Sequence, residues 1–482
     1  MVKNTHYVPF LIYSINSSST PAYFTFRLAG QPLPAGFMNK IYKRLNQLYL
    51  SLTGSIALWP SVIALGFLSL GFFALYFERT AWGIYLERHF LSQLNSEPEN
   101  ARIVLTTIAS GTITLMVFSF SMVMIVLSQA TSNLTPRVVP GLISDKMNQV
   151  VLGVNIGTIL YTLILLLSFK PGEDNASVPM IGILLGVLFS ISCVGLFVYF
   201  IHSISRAIKP DTILTRIYGI TLAALEKETK ATQENEALKH FKGSESWFDV
   251  QSKEGGYLRL LELESLSKLA QREDLIFEVV VTIGKFIVPG FPFLRSNRDI
   301  QDQEALLDEI QDCFVFSLEE VVSSDFENGL RQISEVGIKA LSPGINDPGT
   351  AMGALDFLTL LLIQRMKSIT PSCLLDEKQE LRIIKRPTPL AKLLYQFLTP
   401  IRTYGKGDVM VVRKLLMSLQ YMLYADQLQK AHTNSLLQQV QVIRDDAHST
   451  VQNPADRAEI NHVLSAINAL IPDQASGITL LT

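Results

Sequence analysis

Four long apolar runs stand close together in the first half of the chain, and more polar sequence follows them. A helix needs about 20 apolar residues to cross the hydrocarbon core of a bilayer. None of the four runs contains Asp, Glu, Lys or Arg, which are costly inside a membrane. The sequence therefore predicts four transmembrane helices, at about residues 56–76, 103–130, 150–169 and 180–202.

Basic residues near the span ends predict the orientation of these helices. Lys40, Lys43 and Arg44 precede the first span, and Arg206 and Lys209 follow the fourth. Basic residues accumulate in the cytoplasmic loops of membrane proteins. We therefore expect a multi-pass membrane protein, in contact with membrane lipid, with both termini in the cytoplasm.

The second span carries a polar but uncharged stripe. Its hydroxyl residues recur every seven positions with small residues beside them, and the set is Thr107, Ser110, Gly111, Thr114, Ser121 and Ser128. A seven-residue spacing is close to two helical turns, so these side chains share one face. Two interpretations stay open: close helix packing through small residues, or a water-filled pore lined by hydroxyls.

Asn155 in the third span places an amide side chain at membrane depth. An uncompensated amide is costly in hydrocarbon. We therefore expect Asn155 either to form a hydrogen bond with a neighbouring helix or to line the same path as the stripe.

Together with the rest of the chain, the four spans predict a polytopic α-helical membrane protein with a C-terminal α+β region. Residues 38–209 form the predicted four-helix transmembrane domain, 210–244 a helical linker, 245–300 a small β-rich module and 301–482 a helical domain. Strands are predicted on both sides of the turn Glu254-Gly255-Gly256. Residues 1–37 fit none of these elements, so we expect a disordered extension or a start codon at Met38.

The stretch "ALSPGINDPGTAMGALD" joins two helical patterns of the predicted helical domain. Asp347 in this stretch is a candidate catalytic acid or metal ligand. It also precedes Pro348, and Asp as N-cap with Pro at the first helical position is a common helix start. The second interpretation is favoured, and it leaves Asn346 as the side chain without an evident structural role.

Several segments together resemble a bacterial family of predicted inner-membrane proteins, domain of unknown function 2254. They include "ARIVLTTIASGTITLMVFSFSMVMIVLSQATSNLTPRVV", "VLGVNIGTILYTL", "GKFIVPGFP", "FENGLRQISEVGIKALSPGINDPGTA" and "YGKGDVMVVRKLL". The likeness extends over most of the chain from about Met38, while the first 37 residues have no counterpart. The resemblance implies the architecture and leaves the activity open.

Candidate functions differ in what they require of the sequence. The formal net charge is -2, so the chain has no overall positive charge that would attract nucleic acid. No HExxH, GxxxxGK or GxSxG motif is present, so we expect no enzyme, metal site or cofactor. The stripe favours a homo-oligomeric channel or permeation path with a cytoplasmic regulatory domain. The alternative is a membrane-anchored scaffold or sensor that binds a cytoplasmic partner, and a membrane enzyme is the weakest of the three.

Overall fold

A computed structural model gives the fold of most of the chain. The residues it describes are 27–28, 31–32, 57–90, 98–133, 146–169, 179–207, 209–233, 246–318, 325–367, 372–376, 378, 380–385, 388–428, 430–471 and 477–482. Strands β1 (Arg27–Leu28) and β2 (Gln31–Pro32) form a short antiparallel ladder. The rest of residues 1–37, including the predicted extension, and Met38 lie outside the described residues.

Four helices of the described chain are long and apolar enough to cross a membrane. With one short helix after the first of them, they are α1 (Leu58–Glu78), α2 (Ala81–Phe90), α3 (Pro98–Asn133), α4 (Lys146–Leu167) and α5 (Met180–Ala207). The predicted spans agree with these helices in number and order. α3 is 36 residues long and extends beyond the predicted second span at both ends.

Two apolar layers hold the membrane bundle together. The far layer, at the end away from the C-terminal region, includes Ala101, Leu105, Tyr161, Leu165 and Ile183. The near layer, at the end where α5 leads into the C-terminal region, consists of Val151, Phe200 and Ile204 with residues of α3 packed against it. Helices α3, α4 and α5 contribute to both layers, so these three helices pack side by side along their length.

Helices α1 and α4 cross closely because α4 has glycine at Gly153 and Gly157. A Cβ atom at Gly157 would lie 2.6 Å from Cγ of Phe67, and one at Gly153 would lie 3.0 Å from Cα of Pro60. Small residues four positions apart allow two helix backbones to approach in this way.

The C-terminal region follows α5 and contains both helices and strands. In chain order its elements are α6 (Pro210–Gln233), β3 (Phe248–Gln251), β4 (Gly256–Leu261), α7 (Leu263–Arg272), β5 (Phe277–Val279), β6 (Phe286–Ile287), β7 (Pro292–Ser296), α8 (Glu304–Asp312), β8 (Phe314–Ser317), α9 (Phe326–Ala340), α10 (Pro348–Met366), β9 (Ser372–Leu375), β10 (Leu381–Lys385), α11 (Leu390–Gly405), α12 (Val409–Asp426), α13 (Thr433–Thr450) and α14 (Pro454–Ala469).

The β-rich module contains two sheets, of strand order β3-β7-β5-β10-β9 and β6-β4-β8. Strands β5 and β10 are parallel, with Phe277 opposite Ile383, and the other pairs are antiparallel. The predicted strands beside the Gly255-Gly256 turn are present, but they do not pair with each other. β3 pairs with β7, and β4 pairs with β6 and β8.

The boundaries predicted for the C-terminal region differ from the described structure in two places. The β-rich module does not end at residue 300, because β8, β9 and β10 join its sheets from later in the chain. The predicted linker is not a separate spacer, because Ile213, Leu214, Ile217 and Leu225 of α6 are buried in the core of the helical domain. Their helical spacing gives α6 an apolar face that packs against α9 and α10.

Candidate functional site

The hydroxyl stripe of α3 faces away from the chain's own bundle. Thr107, Thr114, Ser121 and Ser128 are all exposed, as are the neighbouring Ser110 and Gly111. The buried residues of α3 lie on the opposite face and include Leu105, Ile108, Thr112 and Ser119. Within one copy of the chain, the stripe therefore does not pack against the other spans.

The hydroxyl groups of the stripe form hydrogen bonds within their own helix. Thr107 Oγ1 donates to the Ile103 carbonyl at 2.8 Å, and Thr114 Oγ1 donates to the Ser110 carbonyl at 2.9 Å. Ser121 Oγ donates to a carbonyl four residues earlier, also at 2.9 Å. Such bonds satisfy the donors at low cost, so the oxygen lone pairs are the polar groups that this face presents outward.

Between its two apolar layers the bundle has a polar middle. Six polar or sulfur-containing side chains there are buried: Thr112 and Ser119 of α3, Asn155, Thr158 and Thr162 of α4, and Cys193 of α5. We call them the middle layer. Five of them lie between residues of the near layer and residues of the far layer in their own helix, and Thr162 directly follows Tyr161 of the far layer. The contact between Thr158 and Cys193 brings α4 and α5 together at this level.

Most of the middle layer is hydrogen-bonded. The hydroxyls of Thr112, Ser119 and Thr162 donate to carbonyls of their own helices at 2.8–3.0 Å. Thr158 Oγ1 and Cys193 Sγ lie 3.3 Å apart and share a hydrogen bond between α4 and α5.

Asn155 is the exception in this layer. Its side chain is 0% exposed, and neither its Oδ1 nor its Nδ2 has a hydrogen-bond partner. Asn155 was predicted either to bond a neighbouring helix or to line the path with the stripe. In the structure Asn155 forms no such bond. Asn155 and the stripe are separate sites, because Asn155 lies inside the bundle and the stripe lies on its outer surface.

The loop between α9 and α10 holds the residues predicted as a structural or ligand-binding loop. Asp347 is the N-cap of α10, and Pro348 is the first residue of that helix, as predicted. The Asp347 carboxylate accepts a hydrogen bond from the Thr350 hydroxyl at 2.6 Å and one from the Thr350 backbone N–H at 3.1 Å. These bonds hold the pKa of Asp347 below its usual value. The nearby Asp356 does not join them, because it pairs with Lys414 at 2.5 Å.

Asn346 has a backbone role in the same loop. Its φ angle is +50°, in the left-handed region that Asn tolerates better than most residues with a Cβ atom. The left-handed residue of this loop is therefore Asn346 and not the nearby Gly344.

Two loops of the helical domain meet at its end next to the α5–α6 junction. A Cβ atom at Gly353, near the start of α10, would lie 3.8 Å from Leu214, near the start of α6. A Cβ atom at Gly405, at the end of α11, would lie 3.2 Å from Leu341, at the end of α9. The α9–α10 loop and the α11–α12 loop are therefore neighbours at the end of the domain that leads to the membrane bundle.

Comparison with known sequences identifies the family of this chain. The sequence model of a family described as "Predicted membrane protein (DUF2254)" matches residues 53–421. The chain belongs to this family. The match includes all four spans and both loops at the junction end, and it begins later and ends earlier than the likeness seen in the sequence alone.

Proteins similar to this chain occur in mycobacteria. The chain is 23% identical over 330 residues to the uncharacterized protein Mb1321c of Mycobacterium bovis and to the uncharacterized protein Rv1290c of Mycobacterium tuberculosis. Each alignment covers 67% of this chain and 63% of the relative, so the chain spans less than two thirds of the length of these proteins. No solved structure matches the chain.

The middle layer is the feature that sequence reasoning missed. Thr112 and Ser119 are seven residues apart, and Thr158 and Thr162 follow Asn155 by three and seven residues. These spacings indicate two further polar faces in the spans. They are hidden in the sequence because the exposed stripe of α3 has the same period as the buried pair.

Proposed function

We propose that this protein assembles as a homo-oligomer in the bacterial inner membrane, where α3 of each copy lines a shared permeation path. The observation that carries the proposal is the position of the hydroxyl stripe, which is polar, uncharged and turned away from its own bundle. In a closed symmetric assembly, the same helix of the other copies would meet that face.

The burial of the spans supports an outer position for α3 in a single copy. Only 11% of the apolar window of α3 is buried by the rest of the chain, against 44% for α4. A peripheral span with most of its surface free suits contact with further copies.

Small residues on the stripe suit close approach by another helix. Thr107 and Gly111, and likewise Ser110 and Thr114, are four residues apart. A Cβ atom at Gly111 would meet no other atom within 4 Å in a single copy. This spacing is typical of helix contacts in membranes, and it favours a protein partner although the satisfied hydroxyls would also tolerate lipid.

The C-terminal region belongs on the cytoplasmic side in this proposal, together with both chain termini. Arg206 and Lys209 lie at the near end of the bundle, and basic residues favour the cytoplasmic side.

Contacts at the near end support regulation by the C-terminal region. Leu127, close to the end of α3, packs against the core of the helical domain. Because α6 belongs to the same core and directly follows α5, a rearrangement of that core would reach two of the spans. The stripe has no charged residue, so the proposal assigns no ion preference.

The test is a conductance measurement on purified protein in lipid bilayers. Wild-type protein should give a current that Thr114→Leu and Ser121→Leu reduce by about tenfold or more, because leucine replaces the polar lining. The matched controls are Ile113→Leu and Phe120→Leu, exposed neighbours on the same helix that lie about 100° away from the stripe positions. The proposal fails if wild type gives no current, or if the stripe variants conduct as well as their controls.

A membrane-anchored sensor is the alternative, and one observation favours it. A cleft of about 270 Å³ lies beside β3, an edge strand, and its lining includes Gln251, Lys253, Gln301 and Gln311. Lys253 pairs with Asp308 at 2.5 Å, which neutralises its charge. If wild type does not conduct but a cytoplasmic partner binds here, the sensor interpretation replaces the channel.

A further inference from the structure

Helix α2 begins at a tight corner at the far end of α1. Thr80 is its N-cap: the Thr80 hydroxyl donates to the Phe77 carbonyl at 2.5 Å and accepts a hydrogen bond from the Gly83 backbone N–H at 3.3 Å. A Cβ atom at Gly83 would lie 2.8 Å from Cα of Glu78. Glycine therefore allows the first turn of α2 to pack on the last turn of α1, and α2 turns away from the span instead of extending it.

The outer side of α2 carries aromatic and apolar residues at helical spacing. They stand at positions i, i+3, i+4 and i+7, and they are Trp82, Tyr85, Leu86 and His89. All four are exposed in a single copy of the chain, Trp82 at 72% and Tyr85 at 56%. The rings of Tyr85 and His89 are stacked, with their centroids 5.5 Å apart. We call these four residues the aromatic face of α2.

Charged groups at the far end of the bundle mark the level of the membrane surface. The Glu78 carboxylate accepts a hydrogen bond from the Gly182 backbone N–H at 2.8 Å, which joins the end of α1 to the start of α5. Glu99 and Arg102 are exposed at the start of α3. Because charged side chains are costly in hydrocarbon, this end of the bundle belongs at the level of the lipid headgroups. Helix α2 follows Glu78 directly and contacts α5, so it lies at the same level.

The lipid-facing surface of α1 continues into the aromatic face. Phe72, Phe73 and Tyr76, in the last two turns of α1, are exposed at 58%, 58% and 70%. Trp and Tyr are enriched where spans meet the headgroups, because their rings bury apolar carbon while the N–H or O–H stays in contact with water. Trp82 and Tyr85 supply this chemistry at the end of the span, so a lipid surface is the partner that fits them.

We propose that α2 lies in the headgroup region of the membrane, on the side opposite the C-terminal region, with its aromatic face turned toward the acyl chains. The partner is the lipid surface itself. This contact goes beyond the proposed permeation path, because it needs neither a second copy of the chain nor α3. It holds the corner at Glu78 at the membrane surface, where the carboxylate and its bond to Gly182 stay outside the hydrocarbon.

The three tryptophans of the chain allow the depth of α2 to be measured. Trp82 is in α2, Trp59 is at the start of α1, and Trp247 directly precedes β3. Full-length protein with Trp59→Phe and Trp247→Phe retains Trp82 alone and is reconstituted in phosphatidylcholine vesicles. Two brominated forms of this lipid quench tryptophan emission at different depths, one with bromine near the headgroup end of an acyl chain and one with bromine near its methyl end.

The shallow bromine should quench Trp82 at least about twofold more than the deep one, because an interfacial ring lies beside the first carbons of the acyl chains. Two control variants bracket this result. Leu65→Trp in a chain without the native tryptophans, at an exposed position well inside α1, should show the opposite preference. A chain that keeps only Trp247 should be quenched by neither lipid, because the C-terminal region lies outside the bilayer.

The proposal is overturned if neither lipid quenches Trp82, since α2 would then lie in water or under another protein. It is also overturned if the deep bromine quenches Trp82 more strongly, as it does for Leu65→Trp. A comparison of wild type with the single variant Trp82→Phe gives the same contribution after one conservative exchange, so a folding defect in the double variant does not weaken the test. Neither measurement uses conductance, so failure here is distinct from failure of the permeation path.

Discussion

Asn346 shows how a backbone angle decides the choice of one residue. In sequence it stands beside Gly344 in a loop with two prolines, and glycine looks like the residue that makes the turn. The structure instead gives Asn346 the positive φ, and its N–H donates to the Ser342 carbonyl at 2.9 Å. Asp347 was easier to predict, because an N-cap depends only on residues within one turn of it.

Substitutions at Asn346 should follow the cost of the left-handed conformation. Asn346→Gly should keep or slightly raise stability, whereas Asn346→Ala should lower the free energy of unfolding by about 1 kcal/mol. Thermal unfolding of the full chain in detergent measures both. Equal stability of the two variants would contradict the backbone role. A loss of conductance in a stable Asn346→Gly variant would instead show that the side chain has a functional role.

Helix α6 is an element whose role depends on contacts that the local sequence does not display. The sequence predicts residues 210–244 as a linker because the helices that α6 packs against, α9 and α10, begin about a hundred residues later. Gly329 of α9 lies directly against Thr221 of α6, and a Cβ atom there would lie 1.9 Å from Thr221 Oγ1.

A matched pair of glycines tests this contact. Gly329→Ala should lower the free energy of unfolding by about 1–3 kcal/mol through overpacking against α6. Gly353→Ala, in α10, meets Leu214 of α6 at an ordinary 3.8 Å and should be neutral or slightly stabilising. In the double variant, Thr221→Ala should restore only part of the stability lost in Gly329→Ala. The Cβ atom of residue 221 would still lie 2.7 Å from the new Cβ atom of residue 329. Thermal unfolding that ranks the two glycine variants equally would contradict the close α6–α9 contact.

The dependence on contacts between distant residues also explains which elements the sequence predicted. The spans were predicted because apolar length alone defines them. The partners of β3 and β4 were not, because strand pairing depends on distant residues. Arg382 illustrates the distance: it binds Asp376 at 2.9 Å within its own hairpin and Asp274 of the β-rich module at 2.8 Å, across 108 positions. Local patterns predict elements, whereas contacts between them require the whole fold.

The near end of the bundle brings together features that are far apart in the sequence. The α9–α10 and α11–α12 loops, the start of α6 and Leu127 of α3 all lie toward this end. The sequence predicted the hydroxyl stripe and Asn155 as candidate sites, but not that they face opposite ways. Helix periodicity identifies residues on a common face, and only packing shows what that face contacts.

The central claim is that the α3 stripes of different copies face one another, and disulfide cross-linking in native membranes tests it most directly. The native cysteines Cys193, Cys313 and Cys373 are all buried, so single cysteines introduced on α3 can be followed against a low background. A disulfide requires Cα atoms about 4.4–6.8 Å apart, so it forms where the stripes of neighbouring copies come into contact beside the path, and not across an open water-filled path. On oxidation, Thr114→Cys and Ser121→Cys should give covalent dimers, while Ile113→Cys should stay monomeric. Absence of dimers from both stripe variants, or equal cross-linking of Ile113→Cys, would contradict the account.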